Sequence, residues 1–363
     1  MSGIRCCVYC PETGEAYFGG SESDRLLVVD ALTGAKATEI PVGQAPEALC
    51  LNPNENKVYC ANQASNNVTV IDAQTHNVVA TLPVGDEPIA LCYNTHDNKV
   101  YCANSRGVTV IDGAADSVII TREVWIAGPL CYNPQDNKVY CASYEGLVVI
   151  DGATNSRITT INEVFPPWSL CYNPLENRIY CSTDWVNRVI VIDGAADTVV
   201  ARVDLTQLAN ALCYDPQRNK VYCADELRDR LTVIDGATNQ VLGSIGVGDY
   251  PIGLCCSPAQ GRVYVANYRG SSVSVIRDTA VVGILNDEEF QTALGRPPTI
   301  IRGVLAFQPA DGGSQHRATL LDITGRKVID LVPGLNDIRH VAPGVYFVKP
   351  EEEDCTAKVV VQN

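Results

Sequence analysis

The stretch LCYNPQDNKVYCAS, from Leu130 to Ser143, recurs in near copy along the chain. LCLNPNENKVYCAN begins at Leu49, LCYNTHDNKVYCAN at Leu91, LCYNPLENRIYCST at Leu170 and LCYDPQRNKVYCAD at Leu212. Two weaker copies, CVYCPETGEAYFGG from Cys7 and LCCSPAQGRVYVAN from Leu254, bring the total to seven. The period is about 40 residues, which marks a repeat architecture. Each copy continues into a VTVID-like run, such as Val68 to Asp72 or Leu231 to Asp235. A short turn, often GATN or GAAD, and a last apolar run such as Val78 to Val84 complete it.

Each unit reads as four short strands, named A to D here, rich in β-branched and aromatic residues and separated by turn signals. Asn-Pro and Asp-Gly supply the punctuation. No stretch of the repeats carries a helical apolar period. Four strands per copy, seven times over, is the signature of a β-propeller. Apolar residues on both faces of strands A to C agree, because each blade is sandwiched between two others. A β-solenoid is the rival, but its repeats are shorter and its ends stay exposed. The expected fold is all-β: a seven-bladed β-propeller over residues 1–285, a polar, Pro-containing linker over 286–299, and a small C-terminal β-sandwich over 300–363.

The composition bounds the function. The 363 residues are 46% hydrophobic and 19% charged, so the chain is globular. A net charge of −15 repels polyanions and argues against nucleic-acid partners. No apolar run is long enough to span a membrane as a helix. MSGIRCCVYC carries no secretory leader, which leaves a cytoplasmic location as the alternative to export.

VYCAN, VYVAN and VTVID at this spacing resemble the YVTN, or YncE-like, family of seven-bladed propellers, over about residues 6 to 284. The chain departs from that family by placing Cys, in most copies, where the Val of Tyr-Val-Thr-Asn sits. The resemblance implies a surface or periplasmic scaffold more strongly than an activity. After residue 300, the turn Asp322-Ile-Thr-Gly-Arg326, the run Ala342-Pro-Gly-Val-Tyr-Phe and the terminal strand from Lys358 resemble the type A sorting domain of type IX secretion. That likeness implies engagement by secretion machinery and a secreted or outer-surface location. An accessory β-sandwich without a sorting role is the plainer reading.

Ten of the 16 cysteines form five equally spaced pairs, Cys50 with Cys60 through Cys213 with Cys223. Disulfides within each A–B hairpin are one reading, and an extracellular location favours it. The copies favour free thiols instead. Val265 stands opposite Cys255 in the last copy, and Val8 and Phe18 occupy the two positions in the first, as where Cys is a small buried hydrophobe. Cys7 and Cys10 make an isolated C-x-x-C without a second pair, so no metal site is expected. The Asp ending each third strand (Asp30, Asp72, Asp112, Asp151, Asp193, Asp235) reads as a turn former rather than a cation ring, because Arg277 stands there in the last copy.

Catalytic constellations are scarce. His76, His96, His316 and His340 are the only histidines, and no nucleophile elbow, phosphate loop or dinucleotide fingerprint appears. No catalytic residue and no cofactor is expected. The A–B and C–D turns are nearly uniform among copies, whereas the B–C and D–A loops vary. Variation on a rigid scaffold is where specificity resides. The variable face carries Trp125, Tyr144, Phe165, Trp168 and Trp185, with Arg188 among the charged residues that follow. These side chains form the candidate ligand site, with stacking faces for a glycan or peptide. Ring burial between blades is the competing reading. The leading expectation is a non-catalytic, monomeric binding scaffold. A propeller hydrolase or lyase at the channel mouth and a cytosolic interaction platform are the alternatives.

Overall fold

The structure is a computed structural model that describes residues 4–124, 126–164, 167–183, 187–206, 208–257, 261–277, 299–301, 304–307, 318–321, 326–331, 334–337, 341, 344–350 and 357–361. The chain divides into two compact units, Met1–Val282 and Gly283–Asn363.

The first unit is a seven-bladed β-propeller. The blades run Ile4–Pro41, Pro46–Pro83, Ala90–Glu123, Ile126–Ile161, Pro167–Asp204, Ala211–Gly246 and Pro251–Arg277. In the second blade, strands A to D are Pro46–Asn52, Lys57–Asn62, Asn67–Asp72 and Val78–Pro83, paired antiparallel in chain order. Strand A lies innermost and strand D outermost. Burial follows that order. The B strand Lys57–Asn62 is buried beyond its first residue, the D strand is mostly open, and the A strand is partly exposed along its middle.

Short turns dictate the register. Asn52 pairs with Lys57, and the four residues between them form the A–B turn. Asn52 Oδ1 accepts from the amides of Asn54 and Glu55, and Asn56 takes the left-handed conformation at φ 51°. Asparagine tolerates both demands, which is why Asn-Pro-x-x-Asn recurs. In the first six blades the Asp that ends the C strand caps the C–D turn in the same way. Asp235 Oδ1 accepts from the amides of Ala237 and Thr238 and from the Thr238 hydroxyl. Hydrogen bonds to the charged carboxylate hold Asp30, Asp72, Asp151 and Asp235 below the ordinary carboxylate value.

The same turns bolt blade to blade. Tyrosines in the middle of the B strands reach the C–D turn of the next blade: Tyr59 meets the Gly113 carbonyl at 3.2 Å, Tyr101 the Gly152 carbonyl at 3.1 Å and Tyr180 the Gly236 carbonyl at 3.1 Å. The preceding Lys joins it, as Lys99 Nζ donates to the Gly152 and Ala153 carbonyls. Asparagines continue the chain of bonds. Asn52 Nδ2 donates to Asn98 Oδ1, Asn94 to Asn137, and Asn133 to Asn177. These groups all lie on the face of the A–B and C–D turns.

The register also places the cysteines. Cys50 stands opposite Tyr59, and Cys60 opposite Leu49. Residues directly opposite share a face, and successive residues alternate faces. Cys50 and Cys60 therefore point to opposite sides of their sheet, and the same offset holds for Cys131 and Cys141. A disulfide within the hairpin is geometrically barred. Every described cysteine is a free thiol. The two sides of each sheet feed different seams. Cys50 packs with Cys102 of blade three, and Cys131 with Cys181 of blade five.

The first blade keeps its four strands, beginning with the inner strand Ile4–Cys10. The last blade shows three strands, Pro251–Ser257, Arg262–Asn267 and Ser272–Arg277. Among the described residues no N-terminal strand enters the last sheet.

In the second unit, Thr299–Ile301, Ala357–Val361, Gly344–Pro350, Ala318–Leu321 and Lys327–Leu331 form one sheet in that spatial order, the first pair parallel and the others antiparallel. Val304–Phe307 pairs with Gly334–Asp337. Leu320 and Leu331 are fully buried. Of the sequence motifs singled out there, Gly344 to Phe347 and Lys358 to Val361 lie in strands, whereas residues 322–325, 342–343 and 362–363 lie outside the described residues. The expected linker, Thr299 apart, and His316 and His340 also fall outside them. Among the described residues no helix is long and apolar enough to cross a membrane.

Candidate functional site

The B–C and D–A loops emerge on the face opposite the Tyr and Asn bolts. They are fastened to one another, one blade at a time. The Asp86 carbonyl accepts from the Ser105 amide at 2.8 Å, and Arg106 Nε donates to Asp86 Oδ2 at 2.7 Å. The D–A loops sit close over the ends of the B strands. A Cβ on Gly85 would lie 2.0 Å from Asn104 Oδ1, so this position admits only glycine. Such seating holds the loops as a fixed platform and leaves their outer side chains free.

Of the six sequence-predicted residues, Tyr144, Trp168 and Arg188 are described; Trp125, Phe165 and Trp185 lie outside the described residues. Tyr144 occupies the B–C turn of blade four and is 58% exposed. Trp168 stands second in the inner strand of blade five and is 52% exposed. Both rings face solvent, and neither plugs a core. Arg188 pairs with Asp204 across strands C and D, its guanidinium 2.6 Å from Asp204 Oδ1. That carboxylate already engages the cation, so Arg188 serves the blade before it serves a ligand.

A second aromatic group was not evident from the sequence. Tyr250 and Tyr268 lie with ring centroids 6.2 Å apart and planes tilted by 53°, and the Arg269 guanidinium sits 4.0 Å from the Tyr250 centroid. Tyr268 is 68% exposed. Tyr250 holds a left-handed conformation, φ 62°, at the position filled by Ala45 and Glu87 in earlier D–A loops. Its amide donates to Asp229 Oδ1 at 2.8 Å, which ties the loop to blade six. Tyr recurs in every B strand and is buried in the first six, so its residue type gave no signal here. The usable signal was positional: Asp249-Tyr250-Pro251 stands where Asp86-Glu87-Pro88 stands four seams earlier in the same loop pattern.

In the B–C loop of blade six, the Asp225 carboxylate accepts from the amides of Leu227 and Arg228, and its burial raises its pKa. Leu227 beside it is 63% exposed. Away from these loops, a groove of about 300 Å³ between blades three and four is lined by Arg122, Glu123, Val124, Ile150, Ser156 and Arg157. Arg122 Nε there donates to the Asn155 carbonyl. Among the described residues no group of three or more His, Cys, Asp or Glu side chains is placed to hold a metal ion. The platform thus offers exposed rings above hydrogen-bonded loops. Rings of this kind stack on sugars or apolar side chains and carry no proton-transfer machinery of their own.

No family model and no curated protein sequence matches the chain. Among solved structures, Kuenenia stuttgartiensis hydrazine synthase is similar over 77% of this chain and 96% of that one, at 21% identity and a TM-score of 0.64. At that identity the likeness speaks for the β-propeller fold alone.

Proposed function

We propose that this protein is a non-catalytic binding scaffold whose propeller presents a glycan or peptide ligand site on the face of the B–C and D–A loops. The exposure of Tyr144, Trp168 and Tyr268 on that one face carries the reading. Large aromatic surface left in solvent is costly unless a partner covers it, and stacking contributes about 0.5–1.5 kcal/mol per ring pair beyond area burial. The opposite face spends its polar groups on bolting blades together, which leaves the loop face as the variable one.

The repeat motifs support membership in the YVTN, YncE-like class of propellers. The motifs after residue 300 support a type A sorting domain, hence a secreted or outer-surface protein. The hydrazine synthase likeness brings no activity to this chain. Two experiments test the reading. Glycan and peptide arrays probed with the full chain and its Trp168→Ala variant should show a signal that the variant loses. Fractionation of the native host should place the product outside the cell; retention in the cytosol with an intact C-terminus contradicts the sorting assignment.

A further inference from the structure

The loops between blades six and seven repeat those between blades two and three, with Tyr250 in place of Glu87 and Tyr268 in place of Ser105. The D–A loops are Val247-Gly-Asp-Tyr-Pro251 and Val84-Gly-Asp-Glu-Pro88, and they meet the B–C segments Asn267-Tyr-Arg-Gly270 and Asn104-Ser-Arg-Gly107. Their backbones join alike. The Ser105 amide donates to the Asp86 carbonyl at 2.8 Å, and the Tyr268 amide donates to the Tyr250 carbonyl at 2.8 Å. Their arginines differ. Arg106 pairs with the Asp86 carboxylate at 2.7 Å. Its counterpart Arg269 lies 4.0 Å from the Tyr250 ring centroid instead, and forms no ion pair among the described residues. Asp249, the counterpart of Asp86, stays exposed. Arg188 and Arg202 nearby are paired with Asp204 and Glu163. In a chain of net charge −15, Arg269 is thus a loop cation held by a ring and not by a carboxylate.

We propose that Arg269, Tyr250 and Tyr268 form a subsite for a uronic acid residue of a carboxylated glycan. It rests on the loop-face reading given above and names the ligand class. The ring contact holds the guanidinium by its charge and leaves its fork of N–H donors for an anion, and that fork matches a planar carboxylate. Tyr268, 68% exposed and 6.2 Å from Tyr250, sets an open aromatic face beside the cation. A uronic acid carries both complements on adjoining atoms: the C–H face of its pyranose ring stacks, and the carboxylate at C5 pairs. An Asp or Glu side chain brings the carboxylate on a methylene stem, with no face to stack. A neutral sugar brings the face without the charge.

The parts are fixed from below. The Tyr250 amide donates to Asp229 Oδ1 at 2.8 Å, and the Gly248 amide to the Ser274 hydroxyl at 3.1 Å. The Gly270 amide donates to the Asp249 carbonyl at 3.1 Å, which closes the B–C loop onto the D–A loop. Asn267, buried beneath both loops, donates from Nδ2 to the hydroxyls of Ser272 and Ser274. Loops tied in this way lose little freedom when a ligand arrives, so the pairing and stacking contacts are kept as affinity.

The test is calorimetric titration of the full chain with short oligomers of galacturonate, glucuronate and mannuronate, each set against its carboxyl-reduced counterpart. At least one acid should bind about tenfold or more tighter than its reduced form. Arg269→Gln should erase that preference, and Arg269→Lys should restore only part of it, because the charge returns without the fork. Tyr268→Ala should weaken the acid about tenfold. Arg106→Gln, the same exchange at the paired arginine, should leave the preference unchanged. The proposal is overturned by equal binding of acid and reduced forms in all three pairs, or by a preference that survives Arg269→Gln. It is also overturned by a carboxylate preference confined to a Glu-containing peptide against its Gln twin. A neutral array ligand that depends on Trp168, found with no uronate preference, overturns this subsite and keeps the loop-face reading.

Discussion

The Tyr140 hydroxyl lies 2.7 Å from Asp197 Oδ1, across the seam between blades four and five. Lys138 Nζ reaches the other oxygen of the same carboxylate at 2.8 Å, and the Gly194 carbonyl sits 3.1 Å from the tyrosine hydroxyl. Asp197 itself is left-handed, φ 55°, at the close of the C–D turn. One turn residue thus receives both polar groups of the neighbouring B strand. The VYC and GAAD motifs are the two halves of a single joint.

Removing half of that joint has a defined cost. Tyr140→Phe keeps the ring in its apolar cluster and deletes the donor, leaving buried acceptors short of a partner. The expected loss is about 1–3 kcal/mol of unfolding free energy, read from urea denaturation with an unchanged slope. A loss below a few tenths would show that water replaces the hydroxyl.

The turn aspartates set an acid limit. The folded pKa values of Asp72, Asp151 and Asp235 are depressed by hydrogen bonds from their own turns. Their contribution is fully present above the unfolded carboxylate value, about 3.9, and is lost as pH falls through the lower folded values. Melting temperature should therefore fall steeply below about pH 4. In the Asp72→Asn, Asp151→Asn, Asp235→Asn triple variant, the amide oxygens keep accepting and no longer titrate, so the acid limb should flatten. Superimposable pH profiles would contradict this.

Thiol reactivity should follow burial. Iodoacetamide on the folded chain is expected to label Cys7 and Cys255 first. Burial pushes the Cys50 and Cys131 thiols up to about 12, and Cys102, Cys141 and Cys223 higher still. These should stay unmodified until the chain unfolds. Time-resolved mass mapping reads the order directly.

The Arg188–Asp204 pair should matter little to folding. Its side chains are 37% and 74% exposed, and such pairs contribute about 0–1 kcal/mol. Arg188→Ala is expected to shift stability within that range and to leave array binding intact. A binding loss would return Arg188 to the ligand site.

The fold was legible because the repeat is in register with its own turns. Asn133 and Lys138 bracket each hairpin so tightly that counting back from them fixes which residues face which seam. The opposite facing of Cys50 and Cys60 follows from that count, yet their even spacing invites a pairing that the pleat forbids. The turn role of Asp235 was readable from composition alone, since an Asx cap is a local event. The Tyr250, Tyr268 and Arg269 cluster was not, because it joins a D–A loop to a B–C loop by side-chain stacking. Residue type could not flag a tyrosine in a chain whose first six B strands each bury one.

The account holds most centrally that recognition belongs to the loop face. The most direct test compares two double variants on the same glycan and peptide arrays. Trp168→Ala with Tyr268→Ala strips exposed rings from the loop face. Leu32→Ala with Leu175→Ala strips exposed apolar side chains, 94% and 63% open, from the turns of the opposite face. The first should lower the array signal at least about tenfold, the loss of roughly 1.4 kcal/mol, and the second should leave it unchanged. Equal signals from both variants, or a loss confined to the leucine pair, would contradict the account.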